Sequence, residues 1–251
     1  MTPSSLFTTQ SPHRTLALDP QLNYPEPDGE PMAESDQARE ALLYSVEALK
    51  QHFQGRSDVY VSGNLWISYR QGVEDAACAP DVFVIFGVAD RARQSYRVWE
   101  EGGKTPDFVL EVTSKKTRNN DSVTKPIIYA GMGVKEYFQY DPTGDYLRPA
   151  LQGFRLVEGD YQAINLKLDD PQLGEQMGLH LYSEVLNLEL QLSAEGIFRF
   201  WNPQTASFYL PANEQLIVEQ QKRAAIEQER DELRQQLEAL RAELGQGKGE
   251  Q

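Results

Sequence analysis

Apolar residues recur at helical spacing in one early stretch, 34–53, where Ala38, Leu42, Val46, Leu49 and Phe53 mark a single stripe. Ser35 or Asp36 stands where a cap belongs, so a helix is expected there. The pattern then changes. "DVYVSG" (58–63) and "NLWISYR" (64–70) are β-branched and aromatic runs parted by Gly63-Asn64, which predicts a hairpin. "DVFVIFG" (81–87) and "DFVLEVTS" (107–114) are nearly unbroken apolar runs, the mark of strands covered on both faces. "KPIIYAGMG" (125–133) predicts a short helix. Pro126 is tolerated only in a first turn, so the helix begins near Lys125 and ends at Gly131 or Gly133. "KEYFQYD" (135–141) alternates as a strand stopped by Pro142. Shorter strand candidates at 153–157, 161–166 and 196–201 suggest β-rich additions. Interleaved in this way, the elements predict an α/β (α+β) core, a mixed sheet flanked by helices.

The two ends read differently. Residues 1–31 are proline-rich and aperiodic, which predicts an extended or flexible lead-in. Gln215 to Leu244 contains neither Gly nor Pro, and Ile226, Leu233, Leu237, Leu240 and Leu244 fall seven, four, three and four residues apart. That is an a/d seam interrupted by Arg230. It predicts a short coiled coil and a homodimer formed through residues 215–244. An isolated surface helix would explain the charges but leave the leucines without a partner. The expected division is a lead-in at 1–31, a core domain at 32–210, and a coiled-coil helix with a disordered tail at 211–251.

Composition narrows the chemistry. A chain of 251 residues with 40% hydrophobic content can build a real core. Its net charge is −14 and no segment is polybasic, so nucleic acid would have to be met by a local patch or a metal. Cys78 is the sole cysteine, which excludes an intrachain disulfide and a cysteine-rich zinc site. His13, His52 and His180 are too dispersed to suggest a zinc hydrolase or a histidine triad. The chain lacks a bilayer-length apolar run, and its start does not resemble a signal peptide; the expected location is cytoplasmic.

Against this background two carboxylates stand out. Glu111 lies inside the apolar run 108–112, and Asp81 opens the run 82–86 directly after Pro80. A carboxylate in a buried strand is costly unless paired, hydrogen-bonded or bound to a cation. If the two strands are neighbours, the pair makes a hard-oxygen site for Mg²⁺, with Mn²⁺ as a substitute. Such an ion binds phosphate oxygen and acidifies water, and a nearby lysine would stabilise developing negative charge. The rival reading is a buried ion pair with an arginine. Lys115, Lys116 and Arg118 form the clear basic cluster of the core, by default a solvated loop but placed to contact phosphates. Asp107, Asp141, Tyr129 and Tyr137 read as turn and packing residues, while Asp121 is equally balanced between capping the helix and bonding the lysine region.

"PDV" (80–82), "PDFVLEVTS" (106–114), "KPIIYAGMGVKEYFQYDPTGDY" (125–146) and "LQGFRL" (151–156) resemble the Uma-two family of bacterial restriction endonucleases, over roughly residues 25–210. The resemblance implies a restriction-endonuclease-like core of the PD-(D/E)xK superfamily. It makes Asp81 and Glu111 the metal ligands, and it brings the lysine from the following helix, at Lys125. It also implies an acidic residue from the first helix, with Glu34 as the candidate. Where the wider superfamily carries its lysine, two residues after Glu111, this chain has Thr113; Lys115 is the reserve. The implied activity is Mg²⁺-dependent hydrolysis of DNA phosphodiester bonds. The alternative is a nuclease-like module without catalysis that binds nucleic acid or protein. A carboxylate-pair glycosidase has no sugar platform to support it.

Overall fold

The computed structural model of the chain describes residues 35–113, 124–168 and 178–246, with side chains in the last stretch as far as residue 238. Helix α1 (Asp36–His52) opens it. The Ser35 hydroxyl accepts the Ala38 N–H, so the serine caps the helix, and Asp36 instead pairs with Arg39 at 2.7 Å. Ala38, Leu42, Tyr44, Ser45, Ala48 and Leu49 form its buried face. A wholly buried leucine such as Leu49 contributes about 1.5–3 kcal/mol through the water it sheds.

Six strands form the central sheet: β1 (Val59–Ser62), β4 (Val82–Phe86), β6 (Phe108–Val112), β7 (Glu136–Tyr140), β8 (Leu151–Val157) and β9 (Asp160–Ala163), side by side in that order. Only β6 and β7 run parallel; every other pair in this sheet is antiparallel. A parallel pair needs a crossover, and the segment between these two strands carries helix α2 (Thr124–Met132). A smaller sheet joins β3 (Ala77–Cys78), β2 (Ile67–Ser68) and β5 (Tyr96–Arg97). A third, entirely antiparallel, runs through β10 (Lys167–Leu168), β11 (Leu179–Ser183), β12 (Leu188–Leu192), β13 (Phe198–Asn202) and β14 (Ser207–Phe208). Helix α3 (Ala212–Gln246) ends the described chain.

The strand period of two decides what each face meets. Phe108, Leu110 and Val112 join a core with α1 and with Leu181, Leu188, Leu190, Phe198 and Phe200 of the third sheet. Val109, on the other face, packs with Tyr129 of α2 and with Ile67, Cys78 and Tyr96 of the small sheet. Both faces of β4 and β6 are thereby covered, which is why those strands read as continuous apolar runs.

Two expectations are corrected. Residues 58–70 do not form a hairpin: β1 pairs with β4, while β2 belongs to the small sheet. Gly63-Asn64 does turn the chain, with Asn64 at positive φ, but it passes from one sheet to another, and the Asn64 N–H bonds to the Pro80 carbonyl at 2.9 Å. A Cβ on Gly63 would lie 2.2 Å from the Asp81 carbonyl oxygen, so glycine permits this approach. Nor are the later strands mere additions, since β8 and β9 complete the central sheet. Strands β11 and β12 had no counterpart in the sequence reading.

Candidate active site

Two Pro-Asp steps organise the antiparallel pair β4 and β6. Each aspartate sits just ahead of its strand and reaches the far end of the other. Asp81 Oδ2 accepts the Val112 N–H at 2.8 Å, and Asp107 Oδ2 accepts the Phe86 N–H at 2.9 Å. The two clasps are alike in geometry and differ in their neighbours. Asp107 pairs with the exposed Lys135 at 2.7 Å, as suits a turn residue. Asp81 lies beside Glu111.

The register explains that meeting. The pairing of Val82 with Leu110, continued by one step, sets Asp81 opposite Glu111. On the other side Glu111 is the register partner of Gln139, also buried. Asp81, Glu111 and Gln139 therefore form a row across three adjacent strands. Glu111 is wholly buried, whereas Asp81 is partly exposed, so the row opens to solvent on the Asp81 side.

Helix α2 supplies the partners that make a buried carboxylate tolerable. Lys125 Nζ lies 2.7 Å from Glu111 Oε2, and the Tyr129 hydroxyl donates to Oε1. Both groups come from one helical face, four residues apart. Glu111 is thus ion-paired as a purely structural reading would require, but with a lysine from a helix rather than an arginine.

The electrostatics follow from crowding. Burial, and then the charge of Glu111 and a hydrogen bond to it, push the Asp81 carboxyl well above the usual carboxylate range; Lys125 and the Val112 N–H oppose this. Burial first, and Glu111 second, hold the Tyr129 phenol well above its ordinary value, so it stays a donor. The Cys78 thiol feels the same field: burial and Glu111 push it up to about 12, with Lys125 opposing. That thiol is inert at neutral pH. Thr113 follows Glu111 by two residues and shares its strand face. It is buried, and among the described residues its hydroxyl has no hydrogen-bond partner.

The structure thus brings Asp81, Glu111 and Lys125 together. Glu34, Lys115, Lys116, Arg118 and Asp121 lie outside the described residues. Sequence reasoning assigned Tyr129 to packing and passed over Gln139. A signal for the tyrosine was present, because it stands one helical turn beyond Lys125 and faces the same way. Gln139 carried no such signal, since strand register is a tertiary property.

The donor set suits a hard divalent cation: two carboxylates, with no histidine or thiolate ready to bind. Among the described residues no group of three or more His, Cys, Asp or Glu side chains could hold a metal. Asp81 and Glu111 would therefore share the ion with water and phosphate oxygen, as Mg²⁺ commonly allows.

The mixed α/β core agrees with the family that the sequence matches. The family model described as Uma2, putative restriction endonuclease, matches residues 13–191, and the chain belongs to this family. Among solved structures, one similar chain is described as a putative nuclease belonging to DUF820 from Anabaena variabilis. It is 12% identical, covers 57% of this chain and 72% of its own length, and has a TM-score of 0.41. A search of the curated proteins found no significant match. Among the described residues, no helix is long and apolar enough to cross a membrane.

Proposed function

We propose that the chain is an endonuclease that hydrolyses DNA phosphodiester bonds with Mg²⁺, or Mn²⁺ in its place, and that Asp81, Glu111 and Lys125 form its site. One observation carries this reading. Two carboxylates from neighbouring strands meet under a lysine ammonium, in a chain of a family described as restriction endonucleases. The nuclease-like unit is taken as residues 32–210.

Asp81 and Glu111 would hold the ion, which when bound binds phosphate oxygen and lowers the pKa of water. The chain's own residues do the rest. Tyr129 fixes Glu111 through Oε1, leaving the carboxylate a defined orientation. Lys125 Nζ, now on Glu111 Oε2, is close enough to stabilise negative charge developing on a phosphate beside the pair. The buried aromatic cluster of Tyr129, Tyr137 and Phe83 closes the inner side against bulk water. Lys115, Lys116 and Arg118 would contact the DNA backbone, and Glu34 would lend a further carboxylate. Pairing of two copies through residues 215–244 suits an enzyme that cuts both strands of a duplex.

Cleavage of supercoiled plasmid by the purified chain, with Mg²⁺ or Mn²⁺ and with chelator, tests this. Wild type should nick and linearise the plasmid, and Glu111→Ala should not. Equal cleavage by both would discard the assigned site.

A second reading has its own support. Thr113 occupies the superfamily lysine position, and Lys125 and Tyr129 already satisfy both oxygens of Glu111. A site so closed could serve a binding module without catalysis. Calorimetry separates the two, because no heat with Mn²⁺ alongside retained nucleic-acid or protein binding favours the module.

A further inference from the structure

Every described residue of α3 from Glu219 to Glu238 is exposed, including Ile226 at 65%, Leu233 at 57% and Leu237 at 48%. Among the described side chains the polar contacts of α3 with the rest of the chain fall in the first turns, Glu214 with Arg199 at 2.5 Å and Gln215 with Gln51 at 3.1 Å. A helix of 35 residues, about 52 Å long at the standard rise, does not hold an apolar stripe in water without a partner.

The heptad positions are set by the leucines. With Leu237 at a, the a layers are Leu216, Arg223, Arg230 and Leu237, and the d layers are Glu219, Ile226 and Leu233. Lys222, Glu229 and Gln236 then fall at g, and Gln220, Glu227 and Arg234 at e.

We propose that α3 pairs with α3 of a second copy as a parallel, in-register, two-stranded coiled coil; this rests on the dimer included in the proposed function and gives it a geometry. Layer matching selects the orientation, because the parallel, in-register pair sets Leu216, Ile226, Leu233, Leu237, Leu240 and Leu244 each against its own copy, and the flanking charges agree with it. In a parallel pair each g residue faces the e residue five positions on in the other helix. Lys222 then meets the partner's Glu227, and Glu229 meets the partner's Arg234. Symmetry doubles both contacts, and no like charges are opposed among these positions. The antiparallel register that keeps every leucine layer through Leu244 overlapped sets Glu227 against the partner's Glu227 and Glu229 against the partner's Glu229, with no opposite pair in return. Sliding that arrangement by one heptad recovers opposite charges in either direction: Lys222 against the partner's Glu229 one way, and Glu227 against the partner's Arg234 with Lys222 against the partner's Glu243 the other. The first leaves Leu240 and Leu244 beyond the start of the other helix, and the second sets Leu233 against Arg230, Leu240 against Arg223 and Leu244 against Glu219.

The polar layers fix the register. In register Arg223, Arg230 and Glu219 each meet their own copy, so charge faces charge rather than leucine, and the Arg223–Glu219 bond within each helix, at 2.5 Å, offsets two of these three layers. Arg230 comes beside the partner's Glu229. A slip of one heptad would put Arg230 against leucine and Glu219 against isoleucine, stranding charge in apolar layers. A parallel pair carries both nuclease-like cores at the same end of the coil.

The full chain should sediment at twice its 28.5 kDa mass. Leu233→Cys, equilibrated in a glutathione buffer, should form a disulfide-linked dimer, because only parallel strands bring this layer against itself. Buried Cys78 is the native background, read from the unmutated chain under the same conditions. Glu229→Arg should weaken association roughly tenfold, by turning two exposed attractions into repulsions. Adding Arg234→Glu to it should restore the dimer. A monomer, a trimer, a dimer that Leu233→Cys does not cross-link, or a charge swap without rescue would each overturn the proposal. None of these readouts depends on DNA cleavage, so an inactive dimer and an active monomer point to different failures.

Discussion

Replacing Tyr129 by phenylalanine isolates the element that sequence reasoning assigned to packing. The substitution removes one oxygen and keeps the ring, whose centroid lies 5.4 Å from that of Tyr137. The lost group is the donor to Oε1 of a wholly buried carboxylate. Hydrogen bonds to charged groups are worth about 1.5–3 kcal/mol, and a stranded buried acceptor keeps its full desolvation cost. For a chain of this size each kcal/mol moves the melting midpoint by roughly 2–4 °C, so the variant should melt about 3–12 °C lower. Thermal and urea unfolding of wild type, Tyr129→Phe, Glu111→Gln and the double variant would measure the coupling. Tyr161→Phe is the control, since that hydroxyl donates to a neutral carbonyl, of Val134 at 2.8 Å. If Tyr129→Phe costs the same with Glu111→Gln as without it, the hydroxyl is not holding the carboxylate. A midpoint unchanged in both backgrounds would refute the reasoning outright.

Two further outcomes follow from the same coordinates. Gly153→Ala should lower the urea midpoint by about 1–3 kcal/mol of stability, because its Cβ would sit 2.6 Å from the Phe138 ring within the core; an unchanged midpoint would mean that β7 and β8 separate freely. Burial lowers the His52 pKa, against the Leu186 carbonyl that its Nε2 meets at 2.9 Å; the neutral ring therefore suits the fold. The unfolded chain binds this proton more readily. The associated stability is accordingly present above the unfolded value of about 6.5 and declines as pH falls towards the lower folded value. Unfolding across that range should show this slope in wild type and lose it in His52→Gln, and identical slopes would exclude the assignment.

How much of this could be read from the chain depended on distance along it. Helix α1, strands β4, β6 and β7 and the start of α2 are set by local periodicity, caps and the position of Pro126, and each emerges within a residue or two of its reading. Gly63-Asn64 was legible as a turn, yet its pairing was not. β1 chooses β4, twenty residues on, because Gly63 admits the Asp81 backbone, and no local feature reports that approach. Strands β11 and β12 alternate leucine with polar residues over five positions each, a pattern too short to stand alone without the core it faces. Within the site, Asp81 and Glu111 were visible as carboxylates out of place in apolar runs. Lys125 needed the family resemblance, because nothing in its own neighbourhood marks it. Gln139 needed the register.

The position of Lys125 is itself informative. It stands in the first turn of α2, where the helix dipole disfavours a cation by about 0.3–1 kcal/mol. Its side chain is mostly buried, which adds a desolvation cost to that repulsion. A lysine selected only for helix stability would stand at the other end. Glu111 offsets both penalties through the 2.7 Å contact, and Glu111 is in turn costly in β6 without a cation beside it. Neither residue is accounted for by its own element, and each is accounted for by the other. Lys125 reaches Glu111 from α2, at 2.7 Å. An ammonium can therefore reach the carboxylate although β6 itself supplies no lysine, and this is why Thr113 does not by itself argue that the site has lost its chemistry.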